Sequence, residues 1–80
     1  MKMNSYYYET SDLALATALS LFHPIESVDK TDLRRVCFVF RRSKELDELI
    51  ESYWNGSLSV EPQRYFGQLK NIKTRIYASR

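Results

Sequence analysis

The run Arg35-Val36-Cys37-Phe38-Val39-Phe40-Arg41-Arg42 constrains this fold more than any other stretch of the chain. Five consecutive apolar residues, most of them β-branched or aromatic, suit a pleated and largely buried strand. Side chains alternate across a sheet, so Val36, Phe38 and Phe40 share one face. Arg35, Cys37, Val39 and Arg41 share the other. Arginines are almost never fully buried without a partner. The Val/Phe face is therefore expected to point into a core under helices, and the Arg/Cys/Val face to point outward or into a partner.

The same run has an echo of the RNA-recognition signature, in which a basic residue precedes a glycine and spaced aromatics. Here the glycine is missing and the aromatic spacing differs. That signature also needs its aromatics on the open sheet face, where this chain puts arginines. The core-strand reading is the one adopted.

Eighty residues with 44% hydrophobic content suit one domain, residues 1–80, with residues 1–5 expected to be a flexible terminus. A core of this size is marginal alone, so a dimer or a partner is an ordinary way to add burial. One cysteine and one histidine exclude an intrachain disulfide and a Cys/His zinc cluster. No run approaches the ~20 apolar residues of a membrane helix, and Met1-Lys2-Met3-Asn4-Ser5 lacks an apolar signal core. The expectation is a cytoplasmic protein with no membrane, metal or cofactor partner.

The net charge of +2 conceals a block pattern. Residues 34–44 carry Arg34, Arg35, Arg41, Arg42 and Lys44 and no acid. Residues 45–61 carry Glu45, Asp47, Glu48, Glu51 and Glu61 and no base. Residues 62–80 carry Arg64, Lys70, Lys73, Arg75 and Arg80, again with no acid. Two basic segments thus flank an acidic one.

Along the chain, Tyr6–Thr10 reads as a first strand. Thr10-Ser11-Asp12 then starts a helix over Leu13–Phe22, with a hydroxyl cap and Asp12 at the positive end of the dipole. Leu15, Ala18, Leu19 and Phe22 fall on its core face. Pro24 stops it, which leaves His23 outside the helix. Ile25–Asp29 and Leu33–Arg41 form an expected hairpin across Lys30-Thr31-Asp32. Ser43 caps a helix over Lys44–Trp54 with Leu46, Leu49, Ile50 and Tyr53 inward and an acidic outer face. Asn55-Gly56 ends it. Pro62 opens a last helix to Tyr77, with Tyr65, Leu69, Ile72 and Ile76 inward and Phe66 and Lys73 beside them. Leu58 and Val60 are expected to tuck under that helix. Gly67 costs about 1 kcal/mol relative to alanine, which suggests close approach of another backbone.

The order is β-α-β-β-α-α, an α+β fold with a three-stranded sheet and helices on one face. It becomes four-stranded and ferredoxin-like if Leu58–Val60 joins the sheet. Several pieces occur in a telling order: Tyr7-Tyr8 leading into Thr10-Ser11-Asp12-Leu13, Phe38-Val39-Phe40 before the acidic helix, Tyr53-Trp54-Asn55-Gly56, Val60-Glu61-Pro62, Tyr65-Phe66 and Leu69-Lys70. Together they resemble a family of short bacterial and phage-type domains of unknown function. The resemblance covers roughly residues 6–77. It implies the element order and brings no activity and no functional residue.

Enzyme chemistry finds little support. His23 stands alone before a proline, Cys37 is mid-strand, Gly56 and Gly67 form no phosphate loop, and the acids of the second helix lack metal-loop spacing. A non-enzymatic binding module is expected. In the first reading it binds DNA or RNA through Arg34, Arg35, Arg41, Arg42, Lys44, Lys70, Lys73 and Arg75, with tyrosines stacking on bases. Against it, the acidic and basic helices could pair with each other. In the second reading it binds a protein or itself, as a homodimer or as an adaptor or inhibitor encoded by a phage or mobile element. Tyr7, Cys37 and Val39 would form the interface core, or an edge strand would pair, with Trp54 and Tyr77 as anchors.

Overall fold

The computed structural model describes residues 6–32 and 34–78; the expectations for residues 1–5 and for Leu33 as a strand start fall outside these. The elements are β1 (Tyr7–Thr10), α1 (Leu13–Ser20), β2 (Ile25–Asp29), β3 (Cys37–Arg41), α2 (Lys44–Trp54) and α3 (Pro62–Ala78). This is an α+β fold in the expected order. The sheet order is β1-β3-β2, with β3 antiparallel to both neighbours, so β1 and β2 run parallel on either side of it.

Register divides the sheet into two faces. Tyr8 and Thr10 lie opposite Phe40 and Phe38, and Ile25 and Val28 lie opposite the same two phenylalanines. These share the inner face. Tyr7, Glu9, Ser27, Asp29, Cys37, Val39 and Arg41 share the outer one. An irregularity between Ile25 and Ser27 absorbs Glu26 and keeps Ile25 inward. Leu58–Val60 adds no strand. Its two apolar side chains line a cleft with Ala18, Tyr53 and Tyr65 instead.

The core is α1 against β3. Leu15, Ala16, Leu19, Phe38, Phe40, Leu46 and Ile72 form one buried cluster. Residues 15–19 of α1 are all buried, Thr17 included, and the Thr17 hydroxyl donates to the Leu13 carbonyl at 2.8 Å. A helix buried nearly all round is one enclosed on several sides, and α2 and α3 both pack on it. Here the one-faced expectation for this helix needs correcting. Phe22 does not reach the core but is 49% exposed. The helix ends at Ser20, and the Phe22 and His23 amides both donate to the Leu19 carbonyl in a turn that swings the ring outward.

Caps set the helix limits. The Asp12 side chain, rather than a hydroxyl, caps α1 by accepting from the Leu15 amide at 3.1 Å. Ser43 caps α2 by accepting from the Leu46 amide at 3.0 Å. Gly56 takes φ 80°, the left-handed conformation expected after α2. Glu61 holds the start of α3, accepting from the Arg64 amide at 2.8 Å and the Gln63 amide at 3.2 Å. Val60 and Tyr65 close over that end in the same cleft, as a hydrophobic staple does. At the far end, Lys30 Nζ donates to the carbonyls of Arg75 and Ile76 at 3.2 and 3.1 Å. A cation there meets the negative end of the helix dipole.

Strand β3 starts at Cys37, later than the sequence suggested. The Asp29 carboxylate accepts from the Thr31 amide and hydroxyl. Asp32 accepts from the Arg34 amide through its side chain and from the Arg35 amide through its carbonyl. Two successive aspartate turns therefore hold the chain off the sheet until Val36.

No close backbone approach explains Gly67, since a Cβ there would meet nothing within 4 Å. Gly67→Ala is accordingly expected to stabilise the fold by about 1 kcal/mol. Urea denaturation checks this, with an unchanged or lowered midpoint as the contrary result.

Candidate functional site

Which of the basic residues can reach a ligand is decided by the sheet and the turns. Arg34 and Arg35 sit in the second aspartate turn, whereas Arg41 ends β3 and Arg42 follows it, about 20 Å away along an extended chain. The five cations around this strand thus form two groups. Arg42 belongs to the fold. Its guanidinium donates to Asp47 Oδ1 at 2.8 Å and lies 5.4 Å from the centre of the Tyr8 ring, and its side chain is only 21% exposed. Arg41 is exposed on the outer sheet face opposite Tyr7. Lys44 is exposed in the first turn of α2, where a cation opposes the dipole.

Arg34 and Arg35 are turned outward. Arg34 is 92% exposed and pairs loosely with Asp32 at 3.3 Å, a contact that contributes little. Arg35 donates to the Ser11 hydroxyl at 3.3 Å. Both line a shallow hollow closed on its other side by Ile76 and Tyr77 of α3. The C-terminal end of α3 thereby joins the first arginine group.

Along α3, residues 66, 69, 70, 73, 74 and 77 line a second hollow on one side of the helix. At 100° per residue, Phe66, Lys70, Lys73 and Tyr77 form a stripe beside the buried stripe of Tyr65, Ile72 and Ile76. Phe66 is 64% and Tyr77 68% exposed. Arg75 lies about half a turn away from this stripe and does not join it. The structure therefore gathers Arg34, Arg35, Lys70 and Lys73 with two exposed aromatic rings, and leaves Arg41, Arg42, Lys44 and Arg75 elsewhere.

Phe66 is the member that sequence reasoning placed beside the core. Its i, i+4, i+7, i+11 spacing with Lys70, Lys73 and Tyr77 was the signal for an outer stripe. The acidic outer face expected of α2 is present, but the groove it forms was not foreseen: Glu45, Glu48, Leu49 and Ser52 line it with Phe22 and His23. These helices do not pair within the chain as their charges suggested. Each packs on α1, and the ion pairs Arg42–Asp47 and Arg34–Asp32 are local.

The proposed protein interface falls on different faces. Tyr7, Cys37 and Val39 lie half-buried on the outer sheet face, and Cys37 Sγ shares a 3.2 Å hydrogen bond with the Ser11 hydroxyl. Glu9, Ser27 and Asp29 interleave them. Trp54 and Tyr77 are exposed in the helical layer, Trp54 edge-on to Tyr53 at 5.0 Å. Among the described residues no three His, Cys, Asp or Glu side chains converge as metal ligands would, and no helix is long and apolar enough to cross a membrane.

Fold and surface together define a small α+β domain, three antiparallel strands beneath three helices, with its chemistry in charged and aromatic surface. The chain belongs to a family of domains of unknown function, DUF5659, whose family model matches residues 5–78. No curated protein and no solved structure matches it.

Three tyrosines tie the surface to stability. Burial raises the hydroxyl pKa of Tyr8 above 10.0, against the opposing pull of Arg42. Burial, then the Asp12 carboxylate, does the same for Tyr53 and Tyr65. A raised folded-state pKa means the neutral form is favoured by folding. The contribution is complete below pH 10.0 and is lost as pH rises past it. A Tyr8→Phe/Tyr53→Phe/Tyr65→Phe variant is expected to lose less stability than wild type between about pH 9 and 11. Parallel denaturation curves at each pH would contradict the shielding of these rings.

Proposed function

We propose that this domain binds single-stranded nucleic acid across the C-terminal half of α3 and the adjoining Arg34–Arg35 turn. The observation that carries this reading is the interleaving of Lys70 and Lys73 with the exposed rings of Phe66 and Tyr77, next to two outward arginines. Cations neutralise phosphates, and aromatic faces stack on unpaired bases of any identity. The supporting set is narrower than the charge pattern alone: Arg34, Arg35, Lys70 and Lys73. Arg42 already has its carboxylate and its ring.

Fluorescence polarisation with labelled single-stranded DNA and RNA, against duplexes, over a salt series tests the reading. Each phosphate contact to a single strand contributes about 0.7 to the slope of log affinity against log salt. Lys70→Ala/Lys73→Ala is expected to flatten that slope by about 1.4. Phe66→Ala should weaken binding about tenfold with the slope unchanged, as loss of one stacked base does. Arg42→Ala should leave the slope as it is. Absence of single-strand binding by wild type at about 100 mM salt sinks the proposal.

A further inference from the structure

The two outward helical stripes match each other in both charge and spacing. Along α2 the groove residues run Glu45, Glu48, Leu49, Ser52. Along α3, read from the C-terminal side, the hollow residues run Lys73, Lys70, Leu69, Phe66. Both series step by three, one and three residues. Laid antiparallel, Glu45 meets Lys73, Glu48 meets Lys70, Leu49 meets Leu69 and Ser52 meets Phe66. The two carboxylates and the two ammonium groups are each about 4.5 Å apart along their helices. A parallel arrangement sets Glu45 and Glu48 against Phe66 and Leu69 and loses both charge pairs.

Within one chain this match goes unused, because α2 and α3 each pack on α1 and no ion pair joins Glu45 or Glu48 to Lys70 or Lys73. We propose that the α2 groove receives α3 of a second copy of this chain, antiparallel and in that register. Phe22, turned out of the core, lines the groove and gives Phe66 an apolar neighbour. A single contact between helices is small, so association is weak and salt-sensitive. The contact covers Lys70 and Lys73, so a second copy and a nucleic-acid strand compete for them. That consequence alone rests on the nucleic-acid reading.

Sedimentation equilibrium without nucleic acid, at roughly 100 µM protein and about 50 mM salt, tests the contact by itself. Wild type is expected to associate, and to dissociate as salt rises. Glu45→Lys/Glu48→Lys and Lys70→Glu/Lys73→Glu should each sediment as monomers, with an equimolar mixture associating again. Control variants shift net charge equally at other exposed sites, Glu26→Lys/Glu51→Lys and Arg41→Glu/Arg64→Glu. Alone, each control should associate as wild type does. The proposal is overturned if wild type stays monomeric, if its association ignores salt, or if the controls alone behave like the stripe variants. Where a reversal unfolds the chain, Glu45→Gln/Glu48→Gln and Lys70→Gln/Lys73→Gln remove the charges alone; each should weaken association, and association equal to wild type overturns the proposal.

Discussion

Everything in this domain rests on the contact between α1 and the inner face of β3. Leu15 and Leu19 share one buried cluster with Phe38 and Phe40, which Leu46 and Ile72 join from α2 and α3. Each buried side chain of this size contributes about 1.5–3 kcal/mol, and a domain of 80 residues has few to spare. Because α1 is short and enclosed, both later helices can share it. That arrangement turns one side of α2 and one side of α3 toward solvent, and it separates their opposite charges.

Much of the fold was legible because each signal was local. Alternation along Val36–Phe40 assigned the inner face without reference to any other element. Ser43, Asn55-Gly56 and Pro62 marked helix limits through backbone groups within a turn. What was not legible depended on where distant pieces come to rest. Phe22 fits the periodicity of α1, yet the helix stops two residues earlier and the ring leaves the core. Lys30 looks like a turn residue, and only the fold brings it to the end of α3, 45 residues along the chain.

The candidate site shows the same division. The sequence revealed that cations cluster, but a cluster in sequence is not a cluster in space. Arg34 and Arg41 flank one strand and so stand at opposite ends of it. Arg42 and Lys70 are both cations, but one is tied to Asp47 and Tyr8 while the other stands in an open stripe. The acidic block was weighed as a partner for the basic helix, but α2 and α3 each pack on α1 and their outer charges do not pair with each other.

The stripe on α3 is distinctive because it lies apart from the groups that anchor the helix. The helix is anchored by Ile72 and Ile76 on its inner side, by Glu61 at its start and by Lys30 at its end. Phe66 and Lys70 take part in none of these; the Phe66 ring meets Tyr65 edge-on at 5.6 Å and otherwise stays in water. Apolar surface held in water beside segregated charge is characteristic of a surface with a partner. Substitutions at Phe66, Lys70 and Lys73 therefore leave these anchors in place, whereas a substitution at Arg42 removes the ion pair with Asp47 and the contact with the Tyr8 ring that tie α2 to β1.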